Sequence, residues 1–347
     1  MKKIILALSL LALVSSCGSS NPTEGKFDSW NQDASALTSL KEYMKKITKE
    51  GSSDFIPKED RIAVFDMDGT LYGELYPTYL EYVMYEYRVL DDPTYKDKAS
   101  EEQIAFAQEI RAGVKNNSYP SGTDMRHARL AAEAYAGMSL KGFEEYVVTF
   151  LGKEIPTFNN MTYGEAFYEP MREVVNYLND NDFQVYVVSG SDRFICRPLL
   201  KNGLGIPSNR VIGMDVRVEA THQGETSGVS YQLQKDDEIL RTSELLIKNL
   251  KFNKVAQITQ EIGKQPVLSF GNSGGDQSMH NYTIWNNPYP AEAYMLVADD
   301  TVRDYSYLTD AKISDLKTDW TNKGYHVVSM KDDFKTIYKE NVTKKVA

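Results

Sequence analysis

The run Asp66-Met67-Asp68-Gly69-Thr70-Leu71 follows directly on the apolar stretch Ile62-Ala63-Val64-Phe65, and this junction constrains the fold more than any other part of the chain. Four consecutive apolar residues closed by a Gly turn predict a buried strand emptying into a loop. Side chains alternate along a strand, so Asp66 and Asp68 point the same way. Two carboxylates therefore share one small space at the end of a buried strand. They repel there unless a divalent cation or a shared proton intervenes. An EF-hand loop is excluded, because that pattern needs an acidic or amide residue where Thr70 stands and Gly where Leu71 stands.

The pattern downstream of this junction changes twice. From Tyr72 to about Thr162 the apolar spacing is helical, with Leu80, Val83, Met84 and Tyr87 on one face and Leu140, Phe143, Val147 and Leu151 on another. Ser139 is a natural N-cap for the second stripe and Gly152 a natural stop. Strand and helix then alternate: a helix on Met171, Val174, Val175 and Leu178, and a strand over 185–188 ending in Ser189-Gly190. Further strands are predicted from Val211, over 266–270, and over 294–297. Residues 218–245 are polar and unpatterned and predict a long loop or hairpin excursion. Alternating βα units imply an α/β fold, a Rossmann-like doubly wound parallel sheet, here with an inserted helical cap. The expected division is a core of residues 36–72 and 163–347, with the cap at 73–162.

The N-terminus has a separate logic. Lys2-Lys3, an apolar core from Ile4 to Val14, and Ser15-Ser16-Cys17 form an export signal over residues 1–16. That apolar core is too short to span a bilayer as a helix. Val14-Ser15-Ser16-Cys17 resembles a bacterial lipobox, which implies lipidation of Cys17 and a periplasm-facing, membrane-anchored protein in the cell envelope. Residues 17–35 are then expected to act as a tether. Removing residues 1–16 takes away two Lys and no acid, so the formal net charge moves from −10 to −12. Such a balance argues against nucleic acid as a partner. After Cys17 the sequence holds one further cysteine, Cys196, so no internal disulfide forms and Cys196 is expected to be a buried small hydrophobe.

Ligands of open parallel sheets bind beyond the carboxyl ends of the strands. Three such ends carry polar residues: Asp66 and Asp68, Ser189, and Gly271-Asn272-Ser273-Gly274-Gly275-Asp276. Lys254 precedes the third of them and opens a stripe of Val255, Ile258 and Ile262. Acids, a hydroxyl, a cation and a glycine loop on one edge form a phosphate site with a metal. With these motifs in order, the chain resembles a phosphatase of the haloacid dehalogenase superfamily, and within it the phosphoserine-phosphatase-like hydrolases.

That resemblance implies a Mg²⁺-dependent phosphomonoester hydrolase working through an aspartyl-phosphate on a small phosphorylated metabolite, and it implies no protein partner. Asp66 is the expected nucleophile and Asp68 the expected acid and base. Thr70, Ser189, Gly190 and Lys254 are expected to hold phosphate, with Lys248 and Lys251 as competitors for the cation role. The expected Mg²⁺ ligands are Asp66, Asp68, Asn272 and Asp276. One departure stands out: the fourth motif of the superfamily begins Gly-Asp, whereas this chain has Gly271-Asn272, one negative charge fewer. Glu74 and Tyr76, at the start of the insert, are expected to read the leaving group. Tyr72, Tyr76, Tyr79, Tyr82, Tyr85 and Tyr87 crowd the same region, either as an ammonium cage or as cap packing. The competing reading is a catalytically silent, ligand-binding envelope lipoprotein that has kept the fold, and Asn272 is its motive.

Overall fold

The computed structural model describes residues 22–74, 78–116 and 118–345. The signal segment 1–16, Cys17 and Tyr76 lie outside the described residues.

The apolar run before the two acids is strand β1 (Ile62–Phe65), buried along its whole length. The remaining strands are β2 (Phe158–Asn159), β3 (Gln184–Asp192), β4 (Val211–Ala220), β5 (Ile239–Ile247), β6 (Leu268–Gly271), β7 (Glu292–Val297), β8 (His326–Ser329) and β9 (Thr343–Lys344). Seven of them form one sheet in the order β5-β4-β3-β1-β6-β7-β8. Neighbours are parallel except β4 and β5, which pair antiparallel. β2 and β9 make a separate two-stranded pair. A parallel sheet is covered on both faces by its crossover helices, which is why β1 reads as a continuous apolar run and does not alternate.

The helices are α1 (Ser35–Ile47), α2 (Leu80–Leu90), α3 (Glu101–Asn116), α4 (Thr123–Ala134), α5 (Leu140–Leu151), α6 (Glu169–Asp180), α7 (Arg193–Leu204), α8 (Phe252–Gln257), α9 (Gln277–Ile284) and α10 (Asp310–Asn322). α2 to α5 fall within the predicted insert, and α5 begins at the expected cap, where Ser139 Oγ accepts from the Gly142 N–H. None of the helices among the described residues is long and apolar enough to cross a membrane.

β1 lies between β3 and β6, and the chain leaves it toward opposite sides, so the strand order reverses at its carboxyl end. Parallel register sets Phe65 beside Phe270 and Phe270 beside Tyr294. Their rings stack at centroid separations of 4.3 and 4.9 Å, and Tyr294 stacks on His326 at 4.7 Å. This aromatic ladder ties four strands together directly beneath the acids.

Two expectations need correction. Residues 17–35 are not a tether throughout: Phe27 and Trp30 are each only 3% exposed, and Trp30 Nε1 donates to the Pro170 carbonyl at 2.9 Å. Burial of two large rings outweighs the polar composition around them. The strand expected over 185–188 continues to Asp192, with a shift of pairing register against β4 between Val188 and Asp192. The polar stretch 218–245 is a hairpin excursion, as one of the two alternatives had it, and its return strand β5 closes the edge of the sheet. Near its start β5 is bound to the cap, where the Gly137 N–H donates to the Arg241 carbonyl and the Arg241 N–H to Met138.

Candidate active site

The carboxyl ends of β1, β3 and β6 open into a cavity of ≈ 220 Å³ roofed by the cap. Its core side carries Asp66, Asp68, Gly190, Ser191, Lys254, Asn272 and Asp276. Glu74, Tyr79, Glu81, Tyr82 and Asp124 come from the insert.

Lys254 organises the floor. Its ammonium donates to Asp66 Oδ1 at 2.6 Å and to Asp276 Oδ1 at 2.7 Å, all three groups being buried. Burial opposes charge on Lys254, but Asp276 and Asp66 outweigh it and the ammonium is held protonated. Of the competing lysines, Lys248 is drawn off to Glu81 at 2.8 Å, and Lys251 lines the cavity from an exposed position. Asp276 also accepts from the Asn272 and Ser273 N–H groups, both at 3.1 Å, through Oδ2. It anchors the glycine loop, and Lys254 outweighs burial to hold its carboxyl low.

Burial, with the charge of Asp276 added, raises Asp66 to about 6. Burial and the neighbouring Asp66 raise Asp68 to about 7. Glu74 rises to about 8 through burial and the charges of Asp68 and Asp66. Glu74 accepts from Asn272 Nδ2 at 3.1 Å, and Gly69 makes this approach possible. At φ +74° a side chain on Gly69 would be strained, and its Cβ would lie 2.8 Å from the Glu74 carboxyl carbon.

These raised carboxyls set a pH dependence for the metal-free protein. Between about pH 4 and 8 the native state holds protons that the unfolded state has released, so stability falls as pH rises. His127 and His280 act in the opposite direction: burial depresses them to about 3 and about 4, so the unfolded state takes up protons first as pH drops below about 6.5. The three carboxyls outnumber the two histidines, so melting in EDTA is expected to decline from pH 6 toward pH 8. A melting temperature that climbs steadily from pH 6 to 8 would contradict the buried, mutually repelling acids.

The oxygen set suits a hard cation. Six acids line the cavity (Asp66, Asp68, Glu74, Glu81, Asp124 and Asp276) against three lysines. Asp68 Oδ1 is buried with no hydrogen-bond partner among the described residues. No three His, Cys, Asp or Glu among the described residues form a ready ligand cluster, and Asp276 has both oxygens engaged. The residues that fit Mg²⁺ are thus Asp66 and the Asn272 amide oxygen, with water completing the shell, as Mg²⁺ commonly requires; Asp68, expected as a further ligand, has Oδ2 engaged by Ser191.

Two expected phosphate ligands stand behind the cavity wall. Ser189 is fully buried and its Oγ accepts from the Ser191 N–H at 3.0 Å. Thr70 is fully buried, and its hydroxyl has no hydrogen-bond partner among the described residues. Gly190 and Ser191 form the wall instead, and Ser191 Oγ donates to Asp68 Oδ2 at 2.7 Å. Ser191 was legible in principle, two residues after Ser189 on a strand that simply runs further. Of the crowded tyrosines, Tyr79 and Tyr82 line the cavity, whereas Tyr72 and Tyr85 are packed in the core. Cys196 is a buried free thiol pushed up by burial, in keeping with a structural role.

The cap is held by charges the sequence did not advertise. Glu81 on α2 accepts from Lys248 and from the Asp192 N–H, with His127 of α4 packed against it. Arg241 on β5 grips Asp192 through Nη2 at 2.6 Å, and its guanidinium lies 4.1 Å from the Phe143 ring centroid on α5.

Residues 63–279 match the haloacid dehalogenase-like hydrolase family, and the chain belongs to it. No curated protein matches the sequence. Among solved structures, a conserved protein of unknown function from Anaerococcus prevotii is similar at TM-score 0.51 and 13% identity, covering 87% of this chain and 94% of that one. A phosphoserine phosphohydrolase-like protein from Francisella tularensis aligns at TM-score 0.40 and 11% identity, over 77% and 94%. Cytosolic 5'-nucleotidase IIIB bound to cytidine aligns at TM-score 0.46 and 10% identity, over 78% and 80%. At these identities the likeness is one of fold.

Proposed function

We propose that this hydrolase is a Mg²⁺-dependent phosphomonoesterase acting on small phosphate esters. The observation that carries the reading is Lys254 bridging Asp66 and Asp276, with the second acid Asp68 in the same cavity. A carboxylate nucleophile approaching an anionic phosphate needs positive charge beside it, and Lys254 stands within hydrogen-bond reach of Asp66. In this reading Asp66 attacks phosphorus and becomes the aspartyl-phosphate. Asp68 protonates the departing alcohol, then takes a proton from the water that hydrolyses the intermediate. Its raised pKa suits both tasks near neutral pH. The backbone at Gly190, on the cavity wall, would hold phosphate oxygens. Bound Mg²⁺, held by Asp66 and Asn272, would add charge neutralisation at the phosphate.

The leaving group would rest against the cap, near Glu74, Tyr79 and Tyr82, with Tyr76 as the further specificity residue expected from sequence. A cavity of ≈ 220 Å³ under a bolted cap favours small metabolites over folded phosphoproteins. The decisive experiment is a panel of phosphate esters assayed with EDTA and with Mg²⁺ restored. Turnover should vanish and return. Asn272→Asp should lower the Mg²⁺ concentration needed for half-maximal rate, and an unchanged requirement would remove Asn272 from the metal.

We extend the proposal to the N-terminus: Cys17 carries a lipid that holds the enzyme at a bacterial envelope membrane. Cys17→Ser should move the protein to the soluble fraction or block its processing, and unchanged membrane association would refute the anchor.

A further inference from the structure

Ser191 has a place in this site beyond lining it. Its Oγ donates to Asp68 Oδ2 at 2.7 Å, and both residues are buried. The backbone is pinned on either side: the Ser191 N–H donates to Ser189 Oγ at 3.0 Å, and the Asp192 N–H donates to Glu81 of the cap at 3.2 Å. The register shift between β3 and β4 falls within this segment, and such irregularities re-aim side chains at the end of a strand. Gly213 on β4 permits it, since a Cβ there would lie 2.6 Å from the Ser191 carbonyl oxygen.

A carboxyl group has two oxygens, and a hydroxyl donating to one of them leaves the other to carry a proton. Asp68 Oδ2 is the acceptor of Ser191, while Oδ1 is buried without a hydrogen-bond partner among the described residues. We propose that Ser191 is a positioning residue that holds the Asp68 carboxyl in one orientation and reserves Oδ1 for proton delivery to the leaving alcohol. The inference rests on the reading of Asp66 as nucleophile and Asp68 as acid. In that step the bond between phosphorus and the alcohol oxygen breaks as one forms to an Asp66 oxygen. The proton on Asp68 Oδ1 passes to the alcohol oxygen, leaving a free alcohol and an Asp68 carboxylate. Ser191 keeps its own proton throughout.

Orientation of a general acid matters in proportion to how much the leaving group needs a proton. An alkyl phosphate needs one, whereas 4-nitrophenyl phosphate releases an anion that is stable without it. The test compares the wild-type full chain with Ser191→Ala and Ser191→Thr on both esters in Mg²⁺, reading kcat/KM, which reports the step that expels the alcohol. General acid catalysis contributes roughly 10²–10⁴-fold, so misorientation should lower kcat/KM of Ser191→Ala by about 10–100-fold on the alkyl ester. The same variant should lose less than about threefold on the nitrophenyl ester, with the alkyl loss in kcat and not in KM. Ser191→Thr, which keeps the hydroxyl, should recover most of the alkyl activity. Equal losses on the two esters would make Ser191 a phosphate contact or a packing residue and overturn the inference, as would no loss on either. A wild type inert toward both esters would instead overturn the reaction reading, and this inference with it.

Discussion

Asp66→Asn is expected to lower turnover of every phosphate ester by at least about a thousandfold, roughly 4 kcal/mol of barrier. The amide is nearly isosteric with the carboxylate but cannot attack phosphorus to give an acyl phosphate. The fold should survive the change. Asp66 is buried beside Asp68 and Asp276, and burial with that repulsion already raises its pKa, so removing the charge relieves as much as it forfeits. Lys254 keeps Asp276 as its partner at 2.7 Å. Activity and melting temperature must therefore separate in this variant. A protein that keeps more than about a tenth of the wild-type rate does not use Asp66 as its nucleophile. A protein that loses activity only because it has unfolded would show a melting transition far below that of the wild type.

Arg241→Met is expected to cost about 3–5 kcal/mol of stability. The Arg241 side chain is fully buried, and its partner Asp192 is nearly so. Removing the cation strands a carboxylate in the interior with neither water nor a counter-charge. Met preserves much of the volume against Phe143, so the loss would report the charge and not a cavity. For a chain of this size the melting temperature should fall by about 4–7 °C. Adding Asp192→Asn should restore part of it, because Asn removes the stranded charge and still caps α7, where Asp192 Oδ1 accepts from the Phe194 N–H. The double-mutant cycle isolates the pair. A single-variant loss below about 1 kcal/mol would mean that the Arg241–Asp192 pair is incidental.

What the sequence determined by itself was local. The apolar run before Asp66, the helical stripes of the insert, the Ser139 cap and the glycine loop before Asp276 all carry their signal within a few residues. Periodicity and turn chemistry act over that range. The choice of Lys254 over its neighbours was also legible, because the apolar stripe behind it anchors α8. From these pieces follows the convergence of polar residues from three strand ends on one edge, since ligands of open parallel sheets bind beyond the carboxyl ends of the strands.

Only the tertiary structure decided which groups touch. Asp66 meets Lys254 across 188 residues and Glu81 meets Lys248 across 167, distances over which no pattern in the chain specifies a partner. Ser191 displaced Ser189 from the cavity wall because β3 runs on through an irregular pairing with β4, and a change of register alters which side chain faces the site. Phe27 and Trp30 joined the core because the surfaces that bury them, around Tyr177 and Phe334, come from distant parts of the chain. The chemistry available to this protein was written in residue types at strand ends. The orientation of Asp68, the bolting of the cap and the burial of the N-terminal segment arise from long-range packing, where burial free energy and charge pairing outweigh local propensity.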